Sequence, residues 1–177
     1  MNLPEEILTA RLRLRPPTEE DAECIFARYG HDLLVCRYMS WTPHQSVDDT
    51  RAYLQRIVGE NSQANSAGYL ILSRETGQLL GSVGGGMQGP RMQFGYCLAR
   101  DAWGRGYATE AARAFINAAI VDPTIWRIQA FCDTENRASA HVLEKIGMTF
   151  EGKLRFLVMP NLGDEPRDML CYARVKK

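Results

Sequence analysis

Two stretches carry residues whose types and spacing can do chemistry. The first is Phe94-Gly95-Tyr96-Cys97-Leu98-Ala99-Arg100-Asp101-Ala102-Trp103-Gly104-Arg105-Gly106-Tyr107-Ala108-Thr109-Glu110-Ala111. It reads as strand, short loop, glycine pair and helix. Small residues let a backbone pass close to a ligand. A helix start leaves main-chain N–H groups unpaired at its positive dipole end. Together these make a site for a phosphate or pyrophosphate. The second is Asn136 with Ser139, three apart at a helix start and so on one face. Asn136 is equally a good N-cap, and Ser139 can simply face water.

Several phosphate-binding motifs share that physics. A P-loop needs Gly-Lys-Ser/Thr, which does not occur in the chain. A dinucleotide fingerprint needs a third small residue and an early βαβ unit. Gly104-x-Gly106-x-x-Thr109 lacks the third glycine and sits mid-chain. A glycine pair alone would also suit an ordinary helix-start loop, so the surrounding elements must decide.

Those elements follow from periodicity. Thr9 to Arg15 alternates as a half-buried strand, ended by Pro16-Pro17. Thr18 and Asp21 open a helix to about Tyr29, and Ser46 caps a second helix through about Ser62. Between them lies an aromatic-rich loop, Arg37 to Pro43. Tyr69 to Ser73 and Gln78 to Met87 form a hairpin around Glu75-Thr76-Gly77, and Gln93 to Leu98 is the next strand. Gly84-Gly85-Gly86 marks a bulge, a close approach of another segment, or simple flexibility. Gly106 to about Val121 is a helix with an apolar stripe of Ala108, Ala111, Ala112, Phe115, Ile116 and Ala119. Arg127 to Cys132 is a strand and Asn136 to Ile146 a helix. Thr149 to Phe156 and Asp168 to Val175 close the chain, with Asn161-Leu162-Gly163 in their connection. The order predicts an α/β (α+β) fold with a mixed, mostly antiparallel sheet and one strand–helix–strand crossover.

The 177 residues suit a single domain over 1–177, with no repeat or linker. Lys plus Arg number 21 and Asp plus Glu number 21, a balance that argues against a nucleic-acid binder. No apolar run approaches the ~18 residues needed to cross a membrane. The five cysteines, with no C-x-x-C pair, read as separate thiols in a reducing compartment. We therefore expect a cytoplasmic protein without a metal. His31, His44 and His141 are scattered and read as structural or surface residues.

The glycine stretch resembles the GNAT superfamily of N-acetyltransferases, whose cofactor loop reads Gln/Arg-x-x-Gly-x-Gly/Ala. Gly104-Arg105-Gly106-Tyr107-Ala108 supplies all but the first position, where Trp103 stands. That departure is similar to the RimJ/RimL branch of ribosomal-protein acetyltransferases. The resemblance spans nearly the whole chain: Leu12-Arg13-Leu14-Arg15, Arg37-Tyr38-Met39, Asn136-x-x-Ser139, Leu143-Glu144-Lys145-Ile146-Gly147-Met148, Gly152, Arg167-Asp168 and Tyr172. It implies a central sheet of about seven strands flanked by about four helices, and acetyl-CoA as cosubstrate.

The resemblance also implies roles. Amides of Gly104, Arg105, Gly106, Tyr107, Ala108 and Thr109 would bind the CoA pyrophosphate, with the Arg105 side chain either adding charge or merely solvated. The preceding strand would bulge and splay from its neighbour, so that Tyr96, Cys97 and Leu98 bind the pantetheine arm like an added strand. Asn136 would hold that arm, and Ser139 would protonate the departing thiolate, a task other members give to a tyrosine such as Tyr172 here. A neutral amine would attack the thioester directly, so no cysteine need be a nucleophile. Glu110, Asp168 and a water chain stay open as general base. Tyr38, Met39 and Trp41 would wall the acceptor pocket or pack on the sheet, with the second helix and final hairpin completing that pocket. The acceptor would be a protein N-terminal α-amine or a small amine such as an amino acid, polyamine or antibiotic. A silent acyl-CoA sensor is the non-enzymatic alternative. The last hairpin can support a homodimer.

Overall fold

The computed structural model describes residues 1–62, 65–158 and 165–176. The Asn161-Leu162-Gly163 connection lies outside the described residues. Among the described residues, eight strands form one sheet: β1 (Ile7–Leu8), β2 (Leu12–Arg15), β3 (Ser66–Ser73), β4 (Leu79–Gln88), β5 (Arg91–Leu98), β6 (Arg127–Asp133), β7 (Thr149–Val158) and β8 (Arg167–Val175). Their spatial order is β1-β2-β3-β4-β5-β6-β8-β7. Every neighbouring pair is antiparallel except β5 and β6, which the crossover helix makes parallel.

Five α-helices among the described residues flank the sheet: α1 (Ala22–Ile25), α2 (Leu33–Cys36), α3 (Val47–Ser62), α4 (Tyr107–Ile120) and α5 (Arg137–Lys145). The single helix expected over Thr18 to Tyr29 is a helical run of changing pitch. A 3-10 turn at Glu19–Asp21 leads into α1, which widens to a π turn at Phe26–Gly30. Helix α2 was not expected; Asp32 caps it by accepting from the Leu34 amide at 2.9 Å. The strand expected from Thr9 begins at Leu12 as β2, and an unexpected strand before it, β1, pairs antiparallel with it.

Strand β3 illustrates how alternation builds two cores. Tyr69 and Ile71 join the cluster beneath α4 and α5, around the fully buried Phe115 and Ile116. Leu70 joins the cluster on the opposite face, with Ile25, Tyr29 and Leu54. On α4, Ala111, Ala112, Phe115, Ile116 and Ala119 are all fully buried, as a helical stripe facing a sheet requires.

The glycine triplet marks a close approach. A Cβ on Gly84 would lie 2.7 Å from the Ala67 carbonyl oxygen, and one on Gly85 2.8 Å from that of Gln93. The β4 irregularity lies elsewhere, at Leu80, where the register with β3 slips between Ile71↔Gly81 and Leu72↔Leu79.

Candidate active site

The site begins where β5 and β6 part. They pair only from Arg91↔Arg127 to Gln93↔Gln129. Beyond Gln93 the strand goes on beside β4 alone, so its edge facing β6 pairs with no strand. The splay is present without the bulge that the resemblance implied: β5 keeps unbroken register with β4 from Gln88↔Arg91 to Gly81↔Leu98.

A cleft of about 550 Å³ opens at this gap. Tyr96, Cys97 and Leu98 line it from β5, and Gly104, Gly106, Tyr107, Ala108 and Thr109 from the loop and first turn of α4. Asn136 and Ser139 line it from α5, and Tyr38 and Met39 from the segment after α2. Residues 40 or more apart in sequence thus share one cavity. Of the residues expected to bind cofactor or acceptor, two fall outside its lining. Trp41 packs in the second core cluster, its ring 5.4 Å from that of His44. Arg105 is exposed, with its carbonyl accepting from Arg11 on the other side of the loop. Helix α3 and the described parts of β7 and β8 contribute no residue to the lining of this cleft.

The loop is built for an anion. Gly104 and Gly106 take φ of 72° and 78°, left-handed values that only glycine adopts freely. Gly106 is the N-cap of α4, and the first helical bond runs from the Glu110 amide to the Gly106 carbonyl at 3.1 Å. The amides of Tyr107, Ala108 and Thr109 therefore precede the hydrogen-bond ladder and have no partner in it. These three residues line the cleft at the positive end of a 14-residue helix, a setting that fits a pyrophosphate. Trp103, in place of the family's Gln or Arg, donates from Nε1 to the Leu98 carbonyl at 2.8 Å and so ties the loop to the end of β5.

At the far side of the splay, Tyr96 Oη and Ser139 Oγ lie 3.0 Å apart. Burial pushes the Tyr96 hydroxyl up to about 12, against the bond to Ser139. It thus stays protonated and able to donate. Asn136 does cap α5, its Oδ1 accepting from the Ser139 amide at 3.1 Å. Among the described residues, no hydrogen bond engages its Nδ2. Capping and ligand binding need not compete, since they use different ends of one amide.

Other candidates are committed elsewhere. Glu110 accepts from Thr9 Oγ1 at 2.6 Å, the Arg11 amide at 2.9 Å and Arg11 Nε at 2.7 Å. Burial would raise its pKa, but these bonds outweigh burial and lower it. Asp168 pairs with Lys153 at 2.7 Å rather than with Arg167. Tyr172 donates to Glu144 Oε1 at 3.1 Å and does not line the cleft. None of the three is among the residues that line the cleft. The lining carboxylate is Glu135, which accepts from Arg167 Nη2 at 2.6 Å and Arg37 Nη2 at 3.2 Å; the bond to Arg167 leads in lowering its pKa. His141, read as a structural or surface residue, also lines the cleft. His31 and His44 are structural: His31 Nδ1 meets the Phe26 carbonyl at 2.6 Å and His44 Nδ1 meets Thr50 Oγ1 at 2.7 Å.

Cys97 faces the cleft yet is almost wholly buried, and its Sγ lies 3.3 Å from Ser82 Oγ. Burial pushes its thiol up, so little thiolate forms near neutrality. Cys97→Ala is expected to keep turnover within about threefold of wild type, since no covalent acyl-enzyme is needed. A variant that folds and binds donor but is inactive would mark Cys97 as a nucleophile. Among the described residues no group of three or more His, Cys, Asp or Glu is arranged to hold a metal. No described helix is long and apolar enough to cross a membrane.

Comparison with known proteins converges on one family. The family model described as an acetyltransferase (GNAT) domain matches residues 11–149. The p20 protein of Bacillus licheniformis, an uncharacterized N-acetyltransferase, is 32% identical over 154 residues, covering 85% of this chain and 86% of that protein. A GNAT-family acetyltransferase from Bacillus anthracis superposes with a TM-score of 0.84 at 26% identity, over 96% of this chain and 98% of that one. RimL, an α-N-protein acetyltransferase of ribosomal L7/L12 solved with coenzyme A, shares the fold at a TM-score of 0.87 and 21% identity, over 97% and 98% of the two chains.

Proposed function

The chain belongs to the GNAT acetyltransferase family, an acyl-CoA-dependent class of N-acetyltransferases, and on that premise we propose that it moves an acetyl group from acetyl-CoA to a primary amine by direct attack on the thioester. The observation that carries this reading is the joining of an anion-ready glycine loop and the Tyr96–Ser139 hydroxyl pair in one cleft. Bound acetyl-CoA supplies an activated acyl thioester; the chain supplies everything else. Amides from Gly104 to Thr109 hold the pyrophosphate. The unpaired edge of β5 from Tyr96 to Leu98, with Asn136 Nδ2 opposite, aligns the pantetheine arm. A β5 amide polarises the thioester carbonyl. Ser139, backed by Tyr96, delivers a proton to the leaving sulfur.

For the acceptor we propose a protein N-terminal α-amine. Such an amine has a pKa near 8, against about 10 for an alkyl amine, so less is lost in presenting it neutral at physiological pH. RimL, described as acting on an N-terminal α-amine, supports the same reading. The apolar side chains Leu34, Val35, Tyr38 and Met39 would flank the first residue of such a peptide. We place the protein in the cytoplasm, which suits five free cysteines.

Two measurements test this. Acetyl-CoA should raise the melting temperature by mass action, and NAD should not. Release of CoA thiol is then followed with peptides bearing free α-amines and with amino acids, polyamines and antibiotics. Turnover on the peptides is the expected result. Turnover only on small amines replaces the acceptor, binding without turnover on any amine leaves a sensor, and equal shifts from NAD and acetyl-CoA remove the cofactor assignment.

A further inference from the structure

The glycine loop has a freedom that a distant side chain takes away. Turning the Arg105–Gly106 peptide over changes ψ of Arg105 and φ of Gly106, and glycine resists neither sign of φ. That unit is planar and trans, so its C=O and N–H point in opposite directions. In one orientation the Gly106 N–H faces the cleft. In the other a carbonyl oxygen does, and it would repel a pyrophosphate.

Arg11 holds the carbonyl. Its Nη1 donates to the Arg105 oxygen at 3.0 Å, bridging 94 positions of sequence. Arg11 lines a second depression on the outer side of the loop, together with Gly106, Thr109 and Glu110, and is absent from the cleft lining. The carbonyl is therefore drawn outward and the N–H of the same peptide turned toward the cleft.

Arg11 is itself fixed on three sides. Its Nε donates to Glu110 Oε2 at 2.7 Å, its amide donates to Glu110 Oε1 at 2.9 Å, and its guanidinium sits 4.6 Å from the centroid of the Tyr107 ring. Thr9 holds the same Glu110 oxygen as the Arg11 amide. The start of β2 is thereby fastened to the first turn of α4.

Resting on the acetyl-CoA reading above, we propose that Arg11 is a positioning residue: held by Glu110, it locks the Arg105–Gly106 peptide in the orientation that receives the cofactor's pyrophosphate. Arg11 is about half exposed in its pair with Glu110, so as a plain surface ion pair it would matter little to stability. Its effect should instead appear in binding, and only for donors that carry a pyrophosphate.

The test compares wild type, Arg11→Gln and Arg11→Lys with two donors, acetyl-CoA and S-acetylpantetheine, the second having no pyrophosphate. Arg11→Gln is expected to raise KM for acetyl-CoA about tenfold, the value of one charge-assisted hydrogen bond, with kcat nearly kept. Its kcat/KM for acetylpantetheine should match wild type. Arg11→Lys, which can still reach the carbonyl but lacks the fork, should recover part of the loss. Should the Arg11 variants fail to fold, Glu110→Gln loosens Arg11 without removing it and should give the same donor-selective pattern. Equal losses on both donors, or an unchanged KM for acetyl-CoA, would overturn the proposal. Wild type that neither binds nor uses acetyl-CoA would instead overturn the functional reading on which it rests.

Discussion

Gly106→Val is expected to bind acetyl-CoA at least ~100-fold more weakly than wild type, as the loss of two charge-assisted hydrogen bonds would give. It should still melt in one cooperative step. At φ 78° Gly106 is left-handed, where a β-branched residue is a true outlier. Yet a Cβ there would meet only Arg11 Nη2, at 3.4 Å, so the fold has room for it. Strain of about 1–2 kcal/mol would fall on one turn of backbone. The loop would relieve it by leaving the left-handed region, which takes the Gly106 N–H and the start of α4 out of line. Gly106→Asn separates this cause from simple occlusion, because asparagine tolerates the left-handed region. Retained binding in the asparagine variant puts the loss in the backbone; equal loss in both puts it in the side chain's volume. Unchanged affinity in a folded valine variant would remove the loop from the site.

That loop was legible because its signal is local. Glycines two apart before an apolar helical stripe define turn, N-terminus and face within about 16 residues. The alternation of β3, the stripe of α4 and the Asn136 cap are equally local, and each appears in the fold near its expected place. Misses arise where structure depends on distant partners or on segments too short for a period. Helix α2 is four residues long, and four residues cannot display a 3.6-residue repeat. Its only mark is Asp32, a capping residue ahead of Leu33-Leu34-Val35. Glu110 read as a candidate general base, since nothing local announces Thr9 and Arg11 some 100 positions earlier. The aromatic loop after α2 divides between two environments. Tyr38 and Met39 line the cleft, while Trp41 turns back onto His44; type alone could not divide them. The parting of β5 from β6, expected from the resemblance and not from any local pattern, is likewise non-local. It follows from a parallel pair anchored at one end, with α4 inserted between its strands in sequence.

Ser139→Ala is expected to lower kcat by about 10- to 100-fold with acetyl-CoA affinity nearly kept, since a positioned acid acts mainly in the transition state. The low end of the range for general acids applies, because a thiolate leaves readily and a second donor stands by. That donor is Tyr96, whose hydroxyl lies 3.0 Å from Ser139 Oγ and is held protonated by burial. Tyr96→Phe alone should cost less than Ser139→Ala. Because Tyr96 stands in when Ser139 is gone, the double variant should then lose more than the product of the single losses. A control must separate proton delivery from donor placement. Asn136→Ala would confuse them, for it also strips α5 of its cap at about 1 kcal/mol and lets Ser139 drift. Asn136→Asp is cleaner. The carboxylate still caps the Ser139 amide, while the lost Nδ2 donors should weaken acetyl-CoA binding and leave kcat at saturation nearly intact. Single-turnover rates keep product release from masking the chemistry. If Ser139→Ala and the double variant both react as fast as wild type under those conditions, the hydroxyl pair only packs the floor of the cleft and the sulfur takes its proton from water.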